Sequence, residues 1–213
     1  MTVVVANEER IAIAGPDGKF RCRWPGTDPL YLAYHDTEWG VPEYDSRALW
    51  EKLILDGFQA GLSWITILRK RDAFRAGFSE FEPEAVARFT EADVQRLLAD
   101  AGIIRHRGKI EGTIRNAQAY LEISEREPFA DFLWKHCDGR VLQNRFRTQG
   151  EVPTETAVSQ AMSKDLKKAG FTFCGPTIVY AFMEACGLVN DHLAGCFRHA
   201  ECAALARDSR HPA

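Results

Sequence analysis

No stretch of this 213-residue chain approaches the ~18 uninterrupted apolar residues that a membrane-spanning helix needs. A secretory hydrophobic region is missing as well, because Glu8, Glu9 and Arg10 break the apolar start of MTVVVANEER; the expected address is the cytoplasm. Surplus positive charge is absent. Lys and Arg number 27 against 30 Asp and Glu, a net charge of −3. That balance excludes a chain held to nucleic acid by bulk charge and leaves room only for a local basic face. Glycine (16) and proline (9) are too few for a fibrous or low-complexity protein. Alternating apolar–polar runs of useful length and internal repeats are also lacking, which removes the usual signals for an all-β or repeat architecture.

What remains is a globular composition, 46% apolar and 27% charged, which rules out disorder as the global state. The length suits one domain, or one domain with a lobe. Gly15-Pro16-Asp17-Gly18 marks a turn, with a short hairpin or a loose extension around it. From Asp45-Ser46 onward helical patterns dominate. Leu49, Trp50, Leu53 and Ile54 share a helix face. A second helix is expected after Ser63, burying Ile65, Leu68 and Phe74. Thr90-x-x-Asp93 is a capping box, with Gly102 expected at the helix end. A further helix begins near Gly108-Lys109, residues 139–155 read as a loop, and helices over about 156–169 and 176–186 end at Gly170 and Gly187. The fold class is all-α, with a second lobe built from the two chain ends. The expected organisation is an extension over 1–20, a main domain over 21–198 and a tail over 199–213.

Six cysteines are present, and without a secretory leader disulfides are not expected. Cys174 and Cys186 lie in apolar runs and read as core. Cys22 and His35, with His192-x₃-Cys196, offer two thiolates and two imidazoles, and the x₃ spacing places its pair on one face of a helical turn. Such a set prefers zinc, and with four protein donors the ion would be structural. Cys196-x₂-His199-x₂-Cys202 is a rival grouping, and incidental cysteines beside ordinary polar histidines are the plain alternative.

Two further constellations stand out. Asp100–Ile110 joins two amphipathic helices through a segment bounded by Gly102 and Gly108. The second helix start, with Arg105, His106, Arg107 and Lys109 around it, has the chemistry for anchoring a phosphate backbone without reading sequence. A helical hairpin with a solvated basic turn is the alternative. Tyr31, Tyr34 and Trp39 cluster in one run, and Trp64 follows the loop from Asp56 to Ser63. Flat rings with a carboxylate can sandwich a planar cation, although most such rings serve only as core.

Taken together these segments resemble one family. Asp28-Pro-Leu-Tyr-Leu-Ala-Tyr-His-Asp-Thr-Glu-Trp-Gly-Val-Pro42, Gln59-Ala-Gly-Leu-Ser-Trp-Ile-Thr-Ile-Leu68, Asp100-Ala-Gly-Ile-Ile-Arg-His-Arg-Gly-Lys-Ile110, Lys168-Ala-Gly-Phe-Thr-Phe-Cys-Gly-Pro-Thr177 and Gly187-Leu-Val-Asn-Asp-His192 are similar to 3-methyladenine DNA glycosylase I. The resemblance covers about residues 20–197. It implies a helix-hairpin-helix repair enzyme that hydrolyses the N-glycosidic bond of N3-methyladenine in alkylated double-stranded DNA. Free 3-methyladenine would leave and an abasic site would remain, with no lyase step, and the enzyme would act as a monomer.

The resemblance also assigns residues. It puts a structural zinc on Cys22, His35, His192 and Cys196. It puts the base between Tyr34 and Trp64, with Trp24 and Tyr31 near it and Asp56, Phe58 and Gln59 beside it. Gly61 and Leu62 would fill the gap left by the flipped nucleotide, and Gly102, Arg105, His106, Arg107, Gly108 and Lys109 would grip the phosphates. Two positions depart from the family pattern: Asp56 replaces a glutamate and is one methylene shorter, and Phe58 stands where a glutamine is expected. The family has no catalytic aspartate of the kind its helix-hairpin-helix relatives use. Asp131, between Phe129 and Phe132, reads as a helix N-terminal carboxylate.

Overall fold

The computed structural model describes residues 12–208. The chain divides into two compact units: residues 1–43, 137–154 and 183–213 in the first, and residues 44–136 and 155–182 in the second. Residues 1–11, most of the expected extension, lie outside the described part, as do residues 209–213.

The first unit opens on a hairpin, as the Gly-Pro-Asp-Gly turn implies. Strands β1 (Ile13–Ala14) and β2 (Phe20–Arg21) pair antiparallel, and Arg21 reaches back to Asp17 at 2.7 Å. Helix α1 (Pro29–Thr37) follows. Asp28 caps it by accepting from the Leu30 and Tyr31 amides, and Pro29 sits in the first turn, where its missing N–H costs nothing. The unit's later segments supply β3 (Leu142–Gln143), parallel to β4 (Val189–Asn190), and helix α11 (Phe197–Asp208). The expected loop over 139–155 thus contains β3 and one 3-10 turn.

The second unit is built on α2 (Ser46–Gln59) and α7 (Arg107–Ser124). Asp45 caps α2 through the Ala48 amide, and Leu49, Trp50, Leu53 and Ile54 are buried as their spacing requires. The single helix expected after Ser63 is two: α3 (Trp64–Leu68) and α4 (Arg71–Gly77), broken at Arg69-Lys70. Ile67 and Leu68 are its buried aliphatic residues, while Ile65 is only half-buried. Short α5 (Pro83–Val86) leads to α6 (Glu91–Ala99), which carries the capping box at Thr90 and Asp93. Gly102 does not end α6. The helix stops at Ala99, and the Asp100 carboxylate accepts from the Gly102 amide at 2.7 Å, an Asx turn where a glycine cap was expected. Asp131 lies in the first turn of α8 (Phe129–Trp134), and α9 (Ala157–Lys168) and α10 (Pro176–Ala185) complete the helices. Phe58, Phe74, Phe78 and Phe81 form a chain of ring contacts at 4.7–6.2 Å in the core of this unit.

Gly187 turns the chain after α10 with φ +66°, and a Cβ there would come within 2.5 Å of the Val41 and Pro42 backbone. Both the left-handed conformation and the contact demand glycine. Gly187→Ala is therefore expected to lower the unfolding free energy by about 2 kcal/mol or more, read by urea denaturation. An unchanged midpoint would show that this approach tolerates a methyl.

Candidate functional site

Each unit contributes one group of side chains with chemistry of its own. In the first unit, Cys22, His35, His192 and Cys196 are all buried, and their four donor atoms lie within 4.8 Å of one another. The Cys196 sulfur is 3.6 Å from both His35 Nε2 and His192 Nδ1, and the Cys22 sulfur is 3.8 Å from His192 Nδ1. Donors at about 2.3 Å (S) and 2.0 Å (N) from a tetrahedral ion would be about 3.6 Å apart, so this spacing can hold a metal.

The surroundings fit the same reading. The outer nitrogen of His35, Nδ1, is held by Asp36 at 2.7 Å, and that of His192, Nε2, by the Trp39 carbonyl at 2.9 Å. Both imidazoles therefore turn their other nitrogen to the sulfurs, as ligand histidines do. The Leu193 amide donates to the Cys22 sulfur. Contact with Cys196, then burial, pushes the Cys22 thiol well up. The Cys196 thiol is pulled down by Cys22, His192 and His35 against its burial. Burial also holds His192 below the ordinary imidazole value, in the neutral form a metal ligand requires. The rival grouping does not form: His199 bonds the Asn144 carbonyl, and Cys202 is buried outside the cluster.

The aromatic residues of this unit pack onto that cluster. Trp24 meets Tyr31, Trp39 and His35 edge-on at 4.8–5.3 Å, and Trp39 meets His192 at 4.6 Å. Tyr31 and Tyr34 lie on α1 with ring centroids 6.5 Å apart. Tyr34 is buried and Tyr31 half-buried. Burial raises the Tyr31 phenol above its ordinary value. Gly40 has φ +80° and would place a Cβ 2.9 Å from the His192 ring, so glycine is required where the chain passes the cluster.

In the second unit, Asp56 lies in the last turn of α2 and Trp64 opens α3, one on each side of the Gln59–Ser63 loop. Asp56 is 1% exposed. Burial pushes its carboxyl up, and the Lys52 ammonium at 2.6 Å opposes that shift. Lys52 also stands 3.8 Å from the Trp64 ring centroid. The spacing of Lys52 and Asp56, i and i+4 on one helix, could have signalled this pair from the sequence. Phe58, set beside the base by the family pattern, has its ring in the phenylalanine core. Gln59 is half-buried at the end of α2. The loop then exposes Gly61 (φ +82°) and Leu62, whose apolar side chain is 43% exposed.

The hairpin from α6 to α7 presents its groups unequally. Arg105 is exposed. Arg107 pairs with Glu91 at 2.9 Å and Glu111 at 3.1 Å. His106 caps α7 through the Lys109 amide, and Gly108 follows it in the first turn. Lys109 points inward, 8% exposed, and donates to the Phe58 and Ala60 carbonyls at 2.9 Å each. It ties the end of α2 and the start of the Gln59–Ser63 loop to α7. Burial lowers its pKa. Lys70 caps the hairpin turn through the Ala101 and Gly102 carbonyls.

This mostly helical structure has the fold of a DNA glycosylase: it matches the 3-methyladenine DNA glycosylase I of Staphylococcus aureus, studied for 3-methyladenine recognition, with a TM-score of 0.81 and 42% identity. That match covers 83% of this chain and 95% of the other. The chain belongs to the methyladenine glycosylase family, whose profile matches residues 24–199. It is 56% identical to the DNA-3-methyladenine glycosylase 1 of Escherichia coli K12 over 177 residues, 83% of this chain and 95% of that protein. The DNA-3-methyladenine glycosylase of Haemophilus influenzae is 48% identical, over 83% and 96% of the two chains.

Lys109→Met removes the donor to two carbonyls while keeping the apolar stem. The unfolding free energy should fall by about 2–4 kcal/mol, and limited proteolysis should begin at Gly61-Leu62. Retained stability and an uncut loop would show that Lys109 does not hold it.

Proposed function

We propose that this chain is a DNA base-excision repair glycosylase that releases 3-methyladenine from alkylated double-stranded DNA. Family membership across nearly the whole length of the relatives carries the reading. The enzyme hydrolyses the N-glycosidic bond, leaves an abasic site and performs no strand cleavage. Residues 21–198 carry the activity, and the chain acts as a monomer.

The chemistry suits the side chains. N3-methylation puts positive charge on the adenine, so the base leaves as a neutral molecule and needs little acid assistance. The enzyme's work is to extrude the nucleotide, hold it and select it. Trp64 supplies an electron-rich face, and Asp56 a buried carboxylate that stabilises a cationic purine more than normal adenine. Tyr34, with Tyr31 and Trp24 around it, contributes further aromatic surface, and Gln59 lies next to the base. Catalysis follows from binding that favours the charge-separating state over the ground state. Leu62, carried on Gly61, fills the space vacated by the flipped nucleotide. Gly102, Arg105, His106, Arg107 and Gly108 form a helix-hairpin-helix contact to phosphates, and Lys109 serves it from inside by fixing the loop.

The Cys22–His35–His192–Cys196 cluster holds zinc in this reading. Two thiolates and two imidazoles suit that ion, and four protein donors leave no open position, so its role is structural.

The decisive experiment separates the free bases released from methylated duplex DNA by chromatography. Selective release of 3-methyladenine is expected; no release would leave a lesion-binding homologue. Trp64→Ala should slow release about 10- to 100-fold, the loss of one stacking and cation–π partner, with metal content unchanged. Release at the parent rate would remove Trp64 from the site. Cys196→Ser should lose zinc by atomic absorption and lower the Tm by more than about 10 °C, because metal binding here is folding free energy. Stoichiometric zinc in that variant would refute the ligand assignment.

A further inference from the structure

The segment joining α9 to α10 carries a bulky residue in a backbone region that side chains avoid. Phe173 has φ +55°, a left-handed geometry that such a residue adopts only when its surroundings impose it. Both neighbours are clamped. Thr172 is held to α7 by Asn116, whose side-chain oxygen accepts from the Thr172 backbone N–H at 2.7 Å and whose nitrogen donates to the Thr172 carbonyl at 3.1 Å. Cys174 is held to α9 by Ser163, whose hydroxyl donates to the Cys174 carbonyl at 2.6 Å. Asn116 and Ser163 are both buried, so these clamps are shielded from water.

Between the clamps the Phe173 ring lies along α7. Gly108 and Gly112 stand four residues apart on one face of that helix. A Cβ on Gly112 would come within 2.8 Å of ring atom Cε2, and one on Gly108 within 3.9 Å of the ring tip, Cζ. The two glycines leave a bare strip of helix, and the ring rests on it with its tip at the first turn. The His106 ring, which caps that turn, meets Phe173 edge-on with centroids 6.5 Å apart. Phe81 shares the left-handed backbone but is wholly buried, so core packing accounts for it. Phe173 remains 39% exposed, and burial alone does not account for a ring held there.

We propose that Phe173 is a DNA-contact residue, an apolar shelf beside the start of α7 that meets the deoxyribose next to the phosphate bound there. This rests on the reading that the start of α7 meets DNA phosphates. Each phosphate of a strand is joined to sugars whose C–H groups are apolar. The helix start takes the charged part of the backbone and the ring takes the apolar part. Neither contact reads sequence, which suits an enzyme that must survey whole duplexes. A ring fixed in advance by two clamps also has little freedom left to lose on binding.

The test measures affinity for a fluorescein-labelled duplex carrying one tetrahydrofuran abasic analogue, by anisotropy across a salt series. Phe173→Gln and Phe173→Met give side chains matched in length and branching that differ in polarity. The Gln variant should bind about tenfold more weakly than the parent, and the Met variant within about threefold of it. The slope of log Kd against log salt should stay at the parent value in both, because an apolar contact releases no counterions. Phe173→Asn suits a left-handed backbone, so it guards against a misfolded Gln variant and should weaken binding likewise. Equal affinities for the Met and Gln variants would overturn the proposal. A shallower slope in the Gln and Asn variants would also overturn it, since the ring would then act by aiming the phosphate donors. Release of 3-methyladenine from methylated DNA by the parent would show that the functional reading survives either result. A parent that neither binds the duplex nor releases the base would take both down.

Discussion

The first unit depends on four donors that meet from opposite ends of the chain, Cys22 and His35 with His192 and Cys196. The contact of Cys22 with His192 closes a loop of 170 residues in sequence, whose entropy few local interactions could offset. From that point order spreads outward through named contacts. Asp36 holds His35 and is itself held by Arg21, which also grips Asp17 across the opening hairpin. The Trp39 carbonyl holds His192, and the Trp39 ring lies edge-on to it. Trp24 packs on His35 and on Tyr31. The side chains on α1 that carry aromatic chemistry are thus fixed by the cluster beneath them.

The second unit rests on a different principle. Its core is a run of phenylalanine rings, Phe58 through Phe81, closed by α2 and α7. Onto this apolar body it places two cations with separate tasks, Lys109 buried and Lys52 partly so. Lys109 satisfies two carbonyls at the end of α2, where a helix would otherwise leave acceptors unpaired, and so sets the path of the loop. Lys52 pairs with a carboxylate whose pKa burial pushes up, and its ammonium opposes that shift. Both are lysines of α-helices, and neither offers its charge freely to solvent.

This division explains what was legible in the sequence. The starts of α2, α6 and α9 could be read almost to the residue, because a capping side chain sets each of them, whereas α6 ends at Ala99 and not at Gly102. The four-donor cluster was legible residue by residue, Cys22 included, through the His-x₃-Cys spacing and the family resemblance, and the structure brings those four donors together while Cys202 stays outside. The break between α3 and α4 was not visible, since Arg69-Lys70 carries no glycine or proline to announce it. The hairpin misled in a more instructive way. Arg105, His106, Arg107 and Lys109 read as one basic patch, yet Arg107 faces two glutamates and Lys109 faces inward. Charge listed along a sequence says nothing about direction, and partners 16 or 51 residues away decide it.

The departures from the family pattern are best understood together. At Asp56 the carboxylate is one methylene shorter than glutamate, and it sits fully buried. A shorter carboxylate that stays on the helix is within reach of a lysine one turn earlier, and Lys52 meets it with both oxygens engaged. At Phe58 an expected polar side chain is replaced by a ring that joins the phenylalanine core. Lys52 is the compensating charge that the structure sets beside the buried Asp56 carboxylate, and taking that cation away alone would leave the carboxylate strongly destabilised.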